Sequence, residues 1–182
     1  MHTLGLLIRK NDIDLFYFFN KSLHCKILNR LMLTITQFGS TVFSVLLPVS
    51  LFCFGNNNIR LLGLRIGSVL IISQIIVQFI KRLVNRQRPY KVLEYACAIK
   101  PPKCQYSFPS GHTCTAFSIA LVLSGSINGF AVLFLSLAFL VGISRIYLGA
   151  HYPTDVFAGT IIAIIVFFAT NSFISNIILQ AL

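Results

Sequence analysis

Four tracts with almost no charge limit what this chain can fold into. Residues 31–59 carry no charge, 61–80 are broken only by Arg65, 104–144 are uncharged apart from His112, and 156–182 are uncharged throughout. A helix needs roughly 20 predominantly apolar residues to cross a bilayer. Helices and closed barrels are the structures that satisfy their backbone groups there. The third tract is long enough for two helices, parted by a polar, glycine-bearing turn at 124–129. The expected fold is all-α: an integral membrane helical bundle of about five transmembrane helices at 31–55, 61–85, 110–125, 129–147 and 154–180. At 182 residues, 56% hydrophobic and 10% charged, this is one membrane-embedded domain.

Ahead of the first span, residues 11–29 read as an N-terminal interfacial amphipathic helix. Ile13, Leu15, Phe16, Phe18 and Phe19 alternate with Lys21, Lys26 and Arg30 around its polar side. No cleavable signal peptide is expected, because no apolar core followed by a small-residue cleavage site opens the chain. A bend is expected near Gly39-Ser40 and Pro48. The net charge of +11 sets fifteen basic residues against Asp12, Asp14, Glu94 and Asp155. Seven of the fifteen fall between Lys81 and Lys103. A positive-inside loop and an anion or headgroup site both fit that run. Nucleic-acid binding does not, since the charge sits beside spans rather than in a soluble basic domain.

Three short stretches carry chemistry. The second span ends in Lys81-Arg-Leu-Val-Asn-Arg-Gln-Arg-Pro89, where Lys81 and Arg88 share one face if the helix continues, as a cation pair for a ligand or as snorkelling anchors. Phe108-Pro-Ser-Gly-His-Thr113 opens the third span. Ser110 reads as its cap, Gly111 lets backbone approach a ligand, and the helix start offers N–H groups to an anion beneath His112. A capping motif with an incidental histidine is the plainer reading. Ser144-Arg-Ile-Tyr-Leu-Gly-Ala-His-Tyr-Pro-Thr-Asp155 puts Arg145, His151 and Asp155 at a membrane edge, where such residues are rare without a task or a partner. Pro153 suits a first helical turn, so Asp155 can reach back to His151 and fix its free ring nitrogen. A structural interfacial cluster competes with that reading.

Span directions bring all three stretches to one membrane face. Cations and helix N–H groups there match a phosphoryl group in transfer. One histidine held by a carboxylate can attack phosphorus, and the other can protonate the leaving oxygen. A two-metal mechanism needs several carboxylates, and only Asp155 falls in the cluster, so no metal and no cofactor are expected. Cys97 and Cys104 lie in the loop at 90–107, where a disulfide is compatible with an oxidising side of the membrane.

Lys81-x6-Arg88-Pro89, Pro109-Ser110-Gly111-His112 and Ser144-Arg145-x5-His151-x3-Asp155 together resemble the signature of the type 2 phosphatidic acid phosphatase superfamily, complete and in order. The resemblance implies His151 as nucleophile, Asp155 as its orienting partner and His112 as general acid. Lys81, Arg88, Ser110, Gly111 and Arg145 would hold the phosphate, without metal. It implies a membrane lipid phosphate as substrate, the bilayer as surroundings and no obligate protein partner. Undecaprenyl pyrophosphate is the first choice. The chain starts at the interfacial helix, as short undecaprenyl pyrophosphate phosphatases do. Some of these carry aspartate where this chain has Gly111, and phosphatidylglycerophosphate, phosphatidic acid and lipid A phosphatases share the core.

Orientation divides the expectations. With the N-terminus on the active-site side, that side holds every basic residue except Arg60 and Arg65, and the positive-inside rule would place it in the cytoplasm. The bacterial family mostly works on the outer face of the inner membrane, and that face is the expectation here, because cations at a headgroup site do not report topology freely. A small transporter is the rival of another class. Transporters typically bind near the midplane and often carry internal repeats, and no repeat is visible. A lipid-binding relative without activity is a further rival, although no motif position is missing.

Overall fold

A computed structural model describes the backbone of residues 2–102 and 104–181, and the side chains of 7, 9–102 and 104–171. Lys103 lies outside the described residues. The elements are α1 (His2–Tyr17), a π-helical turn (Phe18–Ser22), α2 (Lys26–Ile35), a 3-10 turn (Thr36–Gly39), α3 (Thr41–Phe54), α4 (Asn57–Val84), α5 (Pro89–Val92), α6 (Gly111–Ser126), α7 (Ala131–Tyr147) and α8 (Pro153–Ala181).

The interfacial helix expected at 11–29 is divided differently. Helical structure runs from His2 to Ser22 and breaks, and Lys26 to Asn29 belong to α2. Two buried side chains account for the break. Asn20, fully buried, donates to the carbonyls of Cys97 (2.8 Å) and Tyr147 (2.7 Å). The Cys25 N–H, freed by the break, donates to the Tyr147 hydroxyl at 3.2 Å, and that hydroxyl donates to Asn29 Oδ1 at 2.6 Å. The helix thus stops where tertiary partners for its polar groups are better than further helical ones. Phe16, also fully buried, packs on Ile146 and Tyr152 and ties α1 to the bundle.

The first expected span is a bent pair. α2 with its 3-10 turn meets α3 at 50°, and the extended Ser40 between them caps α3 by accepting from Phe43 N–H at 3.2 Å. α4 and α8, of 28 and 29 residues, are long and apolar enough to cross a membrane. α6 and α7 have 16 and 17 residues, about 24–26 Å at 1.5 Å per residue. By length and composition the described residues give two spans, or three with the bent pair, where about five were expected. α6 is the central helix, packed on α4, α7 and α8.

Polarity is arranged inside out. Ile71, Ile75 and Phe79 form a stripe along α4, each 64% exposed, and Phe157 on α8 is 68% exposed. Ser73, Thr113 and Ser118 are buried. The apolar stripe suits lipid, while the interior polar groups find partners within the protein, as Ser118 does by donating to Ser73.

Candidate active site

Lys81 lies in the last turn of α4. The helix ends at once, because Asn85 takes the left-handed conformation (φ 51°) and its N–H closes on Lys81 O at 3.1 Å. The expectation that Lys81 and Arg88 share a helical face therefore fails: Arg88 has left the helix. Gln87 forms an antiparallel bridge with Tyr106, and Arg88 caps α5, whose first residue is Pro89. The two cations converge by another route. Lys81 Nζ donates to Tyr106 O at 3.1 Å and Arg88 Nε to Cys104 O at 2.8 Å, so the strap at 104–107 holds both. Ser107 completes the strap by donating from its N–H to Arg86 O at 2.8 Å. Cys97 and Cys104 are free thiols, and the disulfide compatible with their spacing is not formed.

Ser110 caps α6 as expected, its Oγ accepting from the Thr113 hydroxyl at 2.9 Å and the Thr113 N–H at 3.4 Å. Gly111 and His112 follow in the first turn, where helix geometry leaves N–H groups without intrahelical partners. The end of α6 is seated from two sides by glycines. A Cβ on Gly39 would stand 2.5 Å from His112 O, and one on Gly159 would stand 2.5 Å from Ser110 O. Ser110 N–H also donates to Asp155 O at 2.9 Å, joining the second motif to the third through backbone.

α7 ends at Tyr147, and Pro153 opens α8 with Asp155 in its first turn. His151, 2% exposed, lies in the connection. Arg88 Nη1 stands 3.2 Å from His151 Nε2 and also donates to Ala150 O at 2.8 Å. Because guanidinium only donates, Nε2 must accept, which places the ring hydrogen on Nδ1. Nδ1 faces Asp155 Oδ2 at 3.5 Å, too far for a formed hydrogen bond but close enough for charge to act. Burial, then Arg88, Arg145 and Lys81, hold the His151 imidazole well below its ordinary range, so the ring is neutral.

Arg145, 5% exposed, donates to Thr36 Oγ1 at 2.8 Å and keeps its Nε buried without a partner. The fields of Arg145, Arg88 and Lys81 reach the His112 ring. All eight expected site residues thus gather at one end of the bundle. Lys81, Arg88 and Arg145 are each 5% exposed or less, and among the described residues none is ion-paired with a carboxylate. Buried charges are ordinarily paired, and these three instead rest on carbonyl and hydroxyl oxygens and, for Arg88, on the His151 ring.

Two residues of this cluster escaped the sequence reading. Arg86 donates from Nη1 to Asp155 Oδ1 (2.7 Å) and Thr154 Oγ1 (2.7 Å), and from Nη2 to Asp12 Oδ2 (2.6 Å). Asp12, near the N-terminus, is 3% exposed and also accepts from Thr154 N–H and Oγ1, at 2.9 and 2.7 Å. The available signal was composition: in a chain with four acids, a carboxylate next to a membrane calls for a cation, and Arg86 lies inside the first motif. Among the described residues no group of three or more His, Cys, Asp or Glu side chains converges as a metal site.

The family model of the PAP2 superfamily matches residues 62–178. The undecaprenyl-diphosphatase BcrC of Bacillus subtilis (strain 168) is 32% identical over 147 residues, covering 80% of this chain and 74% of that protein. The crystal structure of Aquifex aeolicus LpxE superposes with a TM-score of 0.76 at 30% identity, over 88% of this chain and 94% of that one. A transmembrane PAP2-type phosphatidylglycerolphosphate phosphatase from Bacillus subtilis gives a TM-score of 0.74 at 24% identity, over 94% of this chain and 88% of that one, a likeness of fold.

Proposed function

The chain belongs to the PAP2 superfamily, and from that membership we propose that it is a membrane phosphatase removing a terminal phosphate from a lipid phosphate or pyrophosphate, through a phosphohistidine. The observation that carries this is the set of three buried cations without carboxylate partners, beside a neutral histidine whose acceptor nitrogen faces one of them. His151 Nε2 attacks phosphorus. The N–P bond forms as the bond to the leaving oxygen breaks, and His112, protonated once the bound phosphate offsets the charge of Arg145, Arg88 and Lys81, gives that oxygen its proton. Water then attacks the phosphohistidine, His112 takes the water's proton, and the N–P bond breaks to release inorganic phosphate. Lys81, Arg88, Arg145 and the first turn of α6 at Ser110 and Gly111 neutralise charge on the transferring group. Asp155 keeps the hydrogen of His151 on Nδ1 and stabilises the ring as it becomes cationic. The oxygens of Asp155 and Asp12 are engaged by Arg86, Thr154 and the Tyr152 N–H, which supports a mechanism led by cations rather than by metal.

The first-choice substrate is undecaprenyl pyrophosphate, in line with the name of the Bacillus subtilis relative. The location is the cytoplasmic membrane, with the site on its outer face. The test is phosphate release by protein in detergent with a chelator present. Undecaprenyl pyrophosphate, phosphatidylglycerophosphate and phosphatidic acid are each run beside His151→Ala. Chelator-resistant release, greatest on the pyrophosphate and lost in the variant by roughly 10⁴-fold or more, is expected. Release abolished by chelator would overturn the mechanism, and no release from any lipid would favour a binding or transport role.

A further inference from the structure

Resting on the assignment of His151 as nucleophile, we propose that Arg86 and Asp12 are positioning residues, which together hold Asp155 in the orientation that sets the ring of His151. Asp155 is fully buried and starts a transmembrane helix. Its Oδ2 accepts from Tyr152 N–H at 2.9 Å and faces His151 Nδ1 at 3.5 Å. Its Oδ1 is fixed from the other side by Arg86 Nη1 at 2.7 Å. A buried carboxylate without that cation would be costly and less firmly held. With it, the plane of the carboxylate is set and Oδ2 is left for the histidine.

Arg86 is itself held on each side. Asp12 takes Nη2 at 2.6 Å, Thr154 shares Nη1, and the guanidinium lies 3.9 Å over the Tyr152 ring. The cations that act most strongly on the His112 and His151 rings are Arg145, Arg88 and Lys81. Arg86 spends its donors on the two carboxylates and Thr154 instead, so it supports the reaction without holding phosphate. Asp12 keeps a free guanidinium from turning toward an anionic substrate. It also places a residue of α1 in the support of Asp155, and that helix is tied to the bundle through Phe16 on Ile146 and Tyr152.

Arg86→Gln, Arg86→Lys, Asp12→Asn, Asp155→Asn and the double variant Arg86→Gln/Asp155→Asn test this by steady-state and single-turnover phosphate release, with His151→Ala alongside. The expected result for Arg86→Gln is a kcat lower by about 10–100-fold, the range seen when outer-shell partners of oriented ligands are lost, with KM changed less than about threefold. Arg86→Lys, which keeps the charge but not the fork, recovers part of the loss. In the Asp155→Asn background Arg86→Gln adds little, because both act through one orientation. A raised KM with unchanged kcat would make Arg86 a substrate-binding residue and overturn the proposal, as would losses that multiply fully in the double variant. Should Arg86→Gln not fold, the near-isosteric Asp12→Asn carries the test by the same split between kcat and KM. If His151→Ala is inactive while Arg86→Gln and Asp12→Asn match the parent, the positioning role alone falls. Activity in His151→Ala would overturn the nucleophile assignment itself.

Discussion

At the scale of single residues, His151 is held away from its behaviour in water. Burial and three cations keep it neutral, so its Nε2 keeps an unprotonated lone pair, which faces Arg88. A free imidazole has a pKa of about 6.5. Below that pH the unfolded chain binds a proton that the native ring refuses. Stability therefore rises with pH through this window and falls on acidification, until the native ring is also protonated. Nitrogen-15 spectra of histidine-labelled protein in detergent are expected to show the His151 ring still neutral at about pH 5.5, well below the free midpoint. A midpoint at or above the free value would show that the cations do not act on it. In His151→Gln the loss of thermal stability between neutral and mildly acidic pH becomes shallower.

At the scale of elements, the phosphate end of α6 depends on backbone packed against backbone. Gly39 lets the 3-10 turn reach His112 O, and Gly159 lets α8 reach Ser110 O. A methyl group at either position meets a carbonyl rather than a yielding side chain. Gly159→Ala should cost about 1–3 kcal/mol through overpacking and lower kcat by tilting the helix start away from His151. Thermal unfolding and phosphate release, measured together, check it; unchanged values in both would mean that α8 adjusts freely. The cap at Ser110, the start of α8 at Pro153 and the apolar tracts were legible in sequence because each is local chemistry. The departure of Arg88 from the line of α4, the break after Ser22 and the alliance of Asp12 with Arg86 were not. Each is decided by partners 69 to 142 residues away or by one left-handed asparagine, and no periodicity records such contacts.

For the whole molecule, the three motifs could be read as one site because the order of the spans returns them to the same face. The number of spans was harder to read, since apolarity does not tell a helix bathed in lipid from one enclosed by neighbours, as α6 is. Sidedness is open to direct measurement. Cys104 is exposed at the active-site end, where its carbonyl holds Arg88. A variant retaining Cys104 as its one cysteine should react with a membrane-impermeant maleimide on intact cells. Labelling that requires lysis would place the site in the cytoplasm and vindicate the charge bias of the loops.

The three uncompensated cations also bear on how long the protein lasts between turnovers. Gathered in a dry place, they repel one another whenever no anion lies between them, so the resting enzyme is at its weakest and a loaded one is braced by its own substrate or product. Lys81→Met should therefore yield a protein that is inactive yet harder to melt, by about 0.5–2 kcal/mol. Inorganic phosphate should raise the melting temperature of the parent by mass action and do much less for the variant. A variant that melts no later than the parent would mean that the fold bears its charge without strain. In the expected case, supply of lipid phosphate governs the survival of this enzyme as well as its rate.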